Sequence, residues 1–232
     1  MTIKTIFFDA GGTLFKPYPS VGGLYAKMAA PFGKEFDPDI LEKKFQAAWQ
    51  KRGGLASLGS ETSEEKERHW WVTLVEEVFE PFGGMPHFEQ FFEKLYQAFE
   101  EKESWEIFPE VLETLKELRS KKLTLGIVSN WDLRLHKVLK SLDLIQYFDF
   151  IVGSSYVGAT KPHRKIFEEA LSKSASKPHE VIHVGDSYPE DIMGAEPLGI
   201  RAYLIERNGS ALKNPEVRTI RSLKELCKLI EE

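Results

Sequence analysis

The chain has 232 residues, of which 42% are hydrophobic, 12% aromatic and 29% charged, which is the composition of a folded globular protein. Its net charge of −5 argues against a nucleic-acid or anionic-membrane partner, and its one cysteine, Cys227, excludes an internal disulfide or a cysteine-based zinc site. The apolar run before Asp9 is too short for a signal peptide, and no stretch reaches the roughly 18 apolar residues of a membrane span. We therefore expect a soluble, cytoplasmic protein.

The first 102 residues divide into one strand and a helical block. Residues 3–9 form a short apolar segment typical of a buried strand, and this segment ends on the carboxylate of Asp9. Residues 16–102 follow a helical spacing, are broken at paired glycines, and hold 15 of the chain's 28 aromatic residues. Thr62 and Ser63 are candidate N-caps of one of these helices. The block is therefore predicted to be a small helical bundle that has an additional apolar face available for another contact.

After Trp105, short apolar strands alternate with helices. The predicted strands cover residues 123–130, 148–153, 180–186 and 200–206. The predicted helices cover 109–122 and lie near 133–142, 162–173, 189–198 and 222–231. This alternation predicts an α/β fold, a three-layer, Rossmann-like core with a parallel sheet. The first strand must join that sheet, so the expected domains are a core of residues 1–15 and 103–232 and an inserted helical cap of residues 16–102.

Polar residues follow the predicted strands at one end of this sheet. They are Asp9 after the first strand, Ser129 and Asn130 after the second, Lys161 in the loop after the third, and Asp186 with Asp191 after the fourth. Each residue type is common in turns on its own. Ligands of open parallel sheets bind at the carboxyl ends of the strands, so the recurrence predicts an active site there.

Three carboxylates and one lysine at this edge leave a local charge of −2. Carboxylates a few ångströms apart do not all remain ionised without a cation. A hard divalent ion with oxygen ligands removes the conflict, and Mg²⁺, which keeps water for a phosphate group, fits best. The structural alternative, in which each carboxylate pairs with a nearby arginine or lysine, suits Asp191 better than Asp9 or Asp186.

The four segments FFDAGGTLF, IVSN, TKP and VGDSYPED resemble the motifs of the haloacid dehalogenase superfamily of hydrolases, in its branch with a small inserted cap. The resemblance implies that Asp9 is a nucleophile that forms an aspartyl-phosphate. It implies that Thr13, Ser129 and Asn130 hold the transferring group and that Lys161 offsets its charge. It also implies a Mg²⁺ site made by Asp9, the Gly11 carbonyl and Asp186, with Asp191 behind them or as an alternative ligand.

Gly11 departs from the family's first motif, which usually reads Asp-x-Asp. The backbone carbonyl of that position binds the metal, and glycine retains it. The side chain protonates the leaving group and later activates water, and glycine lacks it. Losing a general acid/base costs roughly 10²–10⁴ in rate. The resemblance therefore supports the nucleophile and metal site more strongly than it supports phosphomonoester hydrolysis.

Three functions remain open at the level of the sequence. The first is a magnesium-dependent hydrolase of a small phosphorylated metabolite, acting as a monomer or homodimer. The second is a hydrolase of carbon–halogen or carbon–phosphorus bonds, for which Lys27 or Lys51 on the helical block would form a Schiff base in the phosphonatase case. The third is a binding or regulatory protein weakened by Gly11.

Five further residues have a structural interpretation beside a functional one. His183 lies inside a predicted strand and is expected to be a satisfied core histidine. Trp70 and Trp71 are expected in the interior of the helical block rather than as a platform for substrate. Asp132 and Arg134 either touch substrate or cap, or form an exposed pair in the first turn of a helix.

Overall fold

A computed structural model describes residues 2–207 and 216–230. Its main sheet has six parallel strands in the order β5-β4-β1-β6-β7-β8, which confirms the predicted α/β fold. The strands are β1 (Thr5–Phe8), β4 (Thr124–Ser129), β5 (Phe150–Gly153), β6 (Val181–Gly185), β7 (Arg201–Ile205) and β8 (Thr219–Ile220). β1 lies between β4 and β6, so Asp9 follows a central strand.

Helices and apolar side chains cover both faces of the sheet. The core helices are α5 (Val111–Ser120), α6 (Arg134–Ser141), α7 (Ser154–Val157), α8 (Arg164–Ser174), α9 (Met193–Ala195) and α10 (Leu226–Leu229). All four residues of β1 are buried, because adjacent residues point into separate hydrophobic clusters: Ile6 and Phe8 into one and Phe7 into the other. This two-sided burial explains why the strand has an apolar run rather than polar–apolar alternation.

The structure differs from the sequence prediction at three places in the core. β8 was not predicted, because two residues give no periodic signal. The helix expected near 189–198 is a series of short turns, of which only α9 is regular α-helix. The last predicted helix begins as a turn at Leu223 and continues as α10, and residue 231 lies outside the described residues.

The inserted block contains α1 (Val21–Ala29), α2 (Pro38–Arg52), α3 (Glu64–Phe79) and α4 (Phe88–Ala98). We call residues 21–99 the cap. Its helices enclose a hydrophobic cluster of their own. The hydroxyl of Ser63 accepts a hydrogen bond from the Lys66 amide and is the N-cap of α3, as the sequence indicated. The domain limits at 15/16 and 102/103 stay a prediction.

Two short strands join the cap to the core. β2 (Phe15–Pro17) leads into the cap, β3 (Trp105–Ile107) leads out, and the two pair antiparallel with Pro17 opposite Trp105. On the other side, the cap loop contacts the core through backbone hydrogen bonds, from Thr160 N to Gly59 O at 2.9 Å and from Thr62 N to Gly158 O at 3.3 Å. The cap is therefore held over the carboxyl end of the sheet from two sides.

Within the described ranges, every helix is too short or too polar to cross a lipid bilayer.

Candidate active site

Asp9 lies at the centre of the polar edge, almost fully buried. Its Oδ1 accepts hydrogen bonds from Lys161 Nζ at 2.6 Å and from Ser129 Oγ at 2.8 Å. Its Oδ2 accepts one from Thr13 Oγ1 at 3.3 Å. The structure thus brings Asp9 and Thr13 together with Ser129 and Lys161 from two distant segments, and their catalytic roles stay predictions.

Lys161 is only 1% exposed and lies between two carboxylates. Its Nζ donates to Asp9 at 2.6 Å and to Asp191 Oδ1 at 2.7 Å. Burial by itself favours the neutral amine, but the charges of Asp191 and Asp9 outweigh it and raise the pKa of Lys161 above its ordinary value. Lys161 is therefore a permanent cation beside the candidate nucleophile.

Asp191 is fully buried and its two oxygens are already bound. Oδ1 accepts hydrogen bonds from Lys161 and, at 2.8 Å, from His183 Nε2, and Oδ2 accepts one from the Ser187 amide at 3.0 Å. Burial opposes its charge, but Lys161 and His183 together lower the pKa of Asp191 below the ordinary range. Gly185 permits this approach, since a Cβ there would lie 2.0 Å from the Asp191 carboxyl carbon. Asp191 is thus suited to positioning Lys161 and the loop after β6.

Asp186 differs from Asp191 in that its carboxylate faces the cleft below the cap. The Asp186 side chain is exposed to the cleft, but protein atoms surround the cleft and reduce its contact with bulk water. This desolvation, followed by the charges of Asp9 and Asp191, raises the pKa of Asp186 well above the ordinary value. Gly12, at φ +80°, lets it approach β1, because a Cβ on residue 12 would lie 2.2 Å from Asp186 Oδ2. No L side chain fits there without displacing Asp186.

The donor set at this edge fits a magnesium ion. Asp9, Asp186 and Asp191 each offer one carboxylate oxygen, and the three oxygens lie within 4.8 Å of one another. Oxygen donors without imidazole or thiolate suit Mg²⁺. Burial, followed by the charges of Asp9 and Asp191, raises the pKa of Asp186, and a divalent cation would favour the ionised carboxylate there.

Asn130 and Glu190 form a second layer around Lys161. The Asn130 side chain accepts a hydrogen bond from the Lys161 amide at 2.6 Å and donates to the Lys161 carbonyl at 3.0 Å and to Glu190 Oε2 at 2.8 Å. Burial raises the pKa of Glu190 to about 7, against the opposing charge of Lys161. Glu190 was not predicted from the sequence, although it immediately precedes Asp191 on the same loop.

Gly11 does not have a positive φ angle; in this turn the positive φ angle belongs to Gly12. A Cβ on Gly11 would lie 3.2 Å from the Trp131 ring. Trp131 directly follows Ser129 and Asn130, and its ring packs edge-on against Phe15. An indole therefore faces the position where the family's acid/base side chain is expected.

Three open interpretations are decided by these contacts. Asp132 and Arg134 form a buried ion pair at 2.6 Å, and Tyr96 of the cap donates to Asp132 at 2.9 Å, so the alternative of an exposed pair is wrong. Trp70 lies in the cap interior as expected, but Trp71 lines the cleft. His183 is buried in the core as expected, but it is not fully satisfied: Nε2 is bound to Asp191, and Nδ1 has no partner among the described residues.

Comparison with known proteins agrees with this arrangement. Residues 3–199 match the haloacid dehalogenase-like hydrolase family. The haloacid dehalogenase-like hydrolase domain-containing protein 3 of Danio rerio is 31% identical over 229 residues, which cover 97% of this chain and 95% of that protein. The human protein of the same name is 30% identical over 94% of this chain and 87% of its own.

Solved structures show the same fold. The HAD phosphatase of Thermococcus onnurineus has a TM-score of 0.68 and 26% identity, covering 98% of both chains. The HAD-hydrolase YfnB of Bacillus subtilis, solved bound to magnesium, has a TM-score of 0.78 and 17% identity over the full length of both chains, and here the likeness concerns the fold alone. From its motifs, its capped α/β architecture and these relatives, the chain belongs to the haloacid dehalogenase-like hydrolase family.

Proposed function

We propose that this protein is a magnesium-dependent phosphatase that hydrolyses a small phosphorylated metabolite through an aspartyl-phosphate on Asp9. The observation that carries the proposal is the cluster formed by Asp9, Lys161 and Asp186 at the carboxyl end of the sheet. One carboxylate is held by a buried cation, and a second lines the cleft within 4.8 Å of two other carboxylates. This arrangement suits a dianionic phosphate bound together with a divalent cation.

In the first step, an oxygen of Asp9 attacks phosphorus, the bond from phosphorus to the leaving oxygen breaks, and the leaving oxygen keeps the electron pair and takes a proton from solvent. Oδ2 is the better placed oxygen, because Oδ1 already accepts two short hydrogen bonds while Oδ2 accepts one of 3.3 Å. The ammonium of Lys161 and the hydroxyl of Ser129 lie beside the phosphate oxygens, where negative charge must be balanced.

In the second step, water attacks phosphorus, the Asp9 oxygen recovers its electron pair, the proton of the water passes to phosphate or solvent, and phosphate leaves. Asp9, Asp186 and the Gly11 carbonyl would hold Mg²⁺, which when bound supplies positive charge toward the phosphate. Asp191 keeps Lys161 in position through both steps, and the cap excludes bulk water from the cleft.

The other candidate hydrolases fit the site less well. A metal-free dehalogenase would leave the three clustered carboxylates of Asp9, Asp186 and Asp191 with Lys161 as the cation that offsets them. A phosphonatase needs a lysine that reaches substrate from the cap, yet Lys27 is exposed and Lys51 pairs with Glu77 at 2.8 Å, and neither lines the cleft. These positions favour phosphoryl transfer to Asp9.

The test is a phosphatase assay over a panel of phosphorylated metabolites, with and without Mg²⁺, combined with mass spectrometry of acid-quenched protein. We expect metal-dependent turnover and a phosphoryl group on the peptide that contains Asp9. Asp9→Asn should reduce turnover below a few per cent of wild type, because it removes the nucleophile and preserves shape. Asp39→Asn, an exposed aspartate on α2, is the matched control and should leave turnover unchanged.

Retained turnover in folded Asp9→Asn would refute the covalent mechanism. A single burst of aspartyl-phosphate without turnover would instead favour a regulatory protein that is weakened at Gly11. Hydrolysis that is independent of Mg²⁺ would refute the metal-dependent part of the proposal.

A further inference from the structure

The cleft between cap and core is a cavity of about 700 Å³ whose two ends differ in chemistry. Its floor is the polar cluster around Asp9. Its walls are largely aromatic, and four of the chain's five tryptophans, Trp49, Trp71, Trp105 and Trp131, line them. The volume is that of a site for a complete small molecule and exceeds the space that a phosphate group fills. The walls must therefore receive the part of the substrate that leaves.

The aromatic wall reaches the reacting centre at Trp131. Its ring lies 3.2 Å from the point where a Cβ on Gly11 would stand, and residue 11 is two positions from Asp9. Trp105 packs against it with ring centroids 5.3 Å apart, and Phe15 contacts both rings. A group attached to a phosphate on Asp9 thus meets a continuous indole surface contributed by the core and the joining strands.

The walls offer few hydrogen-bonding groups to a leaving group. Arg134 lines the cavity, but Asp132 binds its Nε and Nη2, its remaining Nη1 donates to the Tyr96 carbonyl, and its guanidinium lies 3.4 Å from the Tyr96 ring centroid. Away from the polar floor, the other polar side chains that line the cavity among the described residues are Gln46, Gln50, Tyr25, Tyr188 and Tyr96, and the Tyr96 hydroxyl already donates to Asp132. A sugar would lose hydrogen bonds to water here without replacing most of them.

The chemistry of the leaving group points in the same direction. Gly11 supplies no proton at the position from which the family protonates the leaving oxygen. A phenol has a pKa near 10, like the tyrosine side chain, whereas water has a pKa of about 15.7 and simple alcohols resemble it. A phenolate therefore leaves without a proton far more readily than an alkoxide.

We propose that the substrate is an aryl phosphate monoester, whose ring binds against Trp131 and the aromatic wall. The inference rests on the proposed phosphatase function and names its substrate class. When Asp9 attacks phosphorus, the bond to the phenolic oxygen breaks, the phenolate keeps the electron pair and it takes a proton from solvent. Water then attacks the aspartyl-phosphate, Asp9 recovers its electron pair, and the proton of water passes to phosphate or solvent. Trp131 is the specificity-determining residue.

Four substrates separate recognition of the ring from the need for a proton. Phenyl phosphate has a ring and a good leaving group, benzyl phosphate has only the ring, acetyl phosphate has only the good leaving group, and glucose 6-phosphate has neither. We expect kcat/KM for phenyl phosphate to exceed that for glucose 6-phosphate by at least about 100-fold. Benzyl phosphate should inhibit phenyl phosphate hydrolysis competitively while turning over slowly. Acetyl phosphate should turn over with a KM at least about tenfold higher than that of phenyl phosphate.

Variants of the wall test the assignment of Trp131. Trp131→Leu should raise KM for phenyl phosphate about tenfold and leave kcat/KM for acetyl phosphate within about twofold. Trp71→Leu is a second wall variant in case the first fails to fold. Trp70→Phe, at the neighbouring tryptophan of the cap interior, is the matched control and should change neither value.

Binding of phenylphosphonate, which is not hydrolysed, separates this proposal from the proposed function. With Mg²⁺ present, it should quench the tryptophan fluorescence of wild type, and Trp131→Leu should bind it about tenfold more weakly. Binding without hydrolysis of any ester would refute the phosphatase and leave the aryl site standing. Equal hydrolysis of glucose 6-phosphate and phenyl phosphate, unaffected by Trp131→Leu, would refute the aryl substrate and leave the phosphatase standing.

Discussion

The hydroxyl of Ser154, on the core helix α7, donates a hydrogen bond of 2.6 Å to Oε1 of Glu67 on the cap helix α3. Thr62 donates to the same oxygen at 3.1 Å, while Oε2 has no partner among the described residues. Burial raises the pKa of Glu67 to about 7, assisted by the charge of Asp132 and opposed by the two hydroxyls. A carboxyl group of unusual basicity therefore lies between cap and core.

Glu67→Gln should change the pH dependence of stability. The folded-state pKa lies above the ordinary 4.5, so the stabilisation from Glu67 is full below about pH 4.5 and is lost as the pH rises through about 7. At one pKa unit to about 1.4 kcal/mol, the loss approaches about 3 kcal/mol. The free energy of unfolding of Glu67→Gln, minus that of wild type, should therefore be larger at pH 8 than at pH 5. Urea denaturation at the two pH values measures this difference.

Glu65→Gln on the same helix is the control for this measurement. Glu65 is exposed, so its substitution should leave the difference between pH 5 and pH 8 as it is in wild type. If Glu67→Gln also shows the wild-type difference, Glu67 is ionised in the folded protein at both pH values and its raised pKa is refuted.

Mg²⁺ should raise the melting temperature of the wild type, because an ion that binds only the folded state stabilises it by mass action. Asp186→Asn should melt higher than wild type without metal, since the raised pKa of Asp186 reports a charge that destabilises the fold at neutral pH. The same variant should lose most of the shift with Mg²⁺. Differential scanning fluorimetry at millimolar MgCl₂ measures both effects, and a wild type without any shift would contradict the metal site.

Asp191→Asn should have the opposite effect on stability. Removing the charge of Asp191 takes away one of the two carboxylates that pair with the buried ammonium of Lys161. Breaking a buried ion pair costs about 3–5 kcal/mol in free energy of unfolding. Asp149→Asn is the matched control, because Asp149 pairs with Arg119 at the surface and should lose no more than about 1 kcal/mol. Urea denaturation without metal decides, and equal losses in the two variants would contradict a structural role of Asp191.

Gly11→Asp by itself should give little gain on alkyl phosphates. The backbone at residue 11 accepts a side chain, but its Cβ would press on the Trp131 ring at 3.2 Å. The double variant Gly11→Asp/Trp131→Leu has room for the carboxylate and should raise kcat for an alkyl ester relative to Trp131→Leu, by up to about 10²–10⁴.

The comparison for this prediction is one alkyl and one aryl ester, assayed for all three variants and the wild type. The carboxylate should help the alkyl ester more, because an alkoxide needs a proton to leave and a phenolate does not. An equal gain on both esters, or a large gain in the single Gly11→Asp variant, would contradict the role assigned to Gly11 and Trp131.

Much of the core could be predicted, because parallel strands with two buried faces leave a continuous apolar pattern. The rule that ligands bind beyond the carboxyl ends of such strands was enough to place Asp9, Ser129, Lys161 and Asp186 at one edge. β8 and the joining strands β2 and β3 were missed, since they are two or three residues long and depend on their partners rather than on their own periodicity.

The surroundings of the site could not be predicted in the same way. The partnership of His183 with Asp191, the burial of Glu67 and the position of Trp131 over Gly11 all join segments through tertiary packing. Composition and spacing describe each residue's own segment, and nothing in them distinguishes a buried glutamate from an exposed one on the same helix. For the same reason the sequence favoured cap interior for Trp71, which lines the cavity.

Because the joining strands β2 and β3 pair antiparallel, the inserted segment between Pro17 and Trp105 occupies the place of the loop in a β-hairpin. Paired residues on antiparallel strands lie about 5 Å apart, a gap that a two-residue turn closes. Replacing this inserted segment with a different one, or with a short turn, would leave the strand order of the main sheet unchanged. The cost in loop-closure entropy would be small, because it changes only slowly with loop length. The catalytic edge with Trp131 and the cap that completes the aromatic wall are therefore separable parts of one chain, and the chain passes between them through a ladder of three residue pairs.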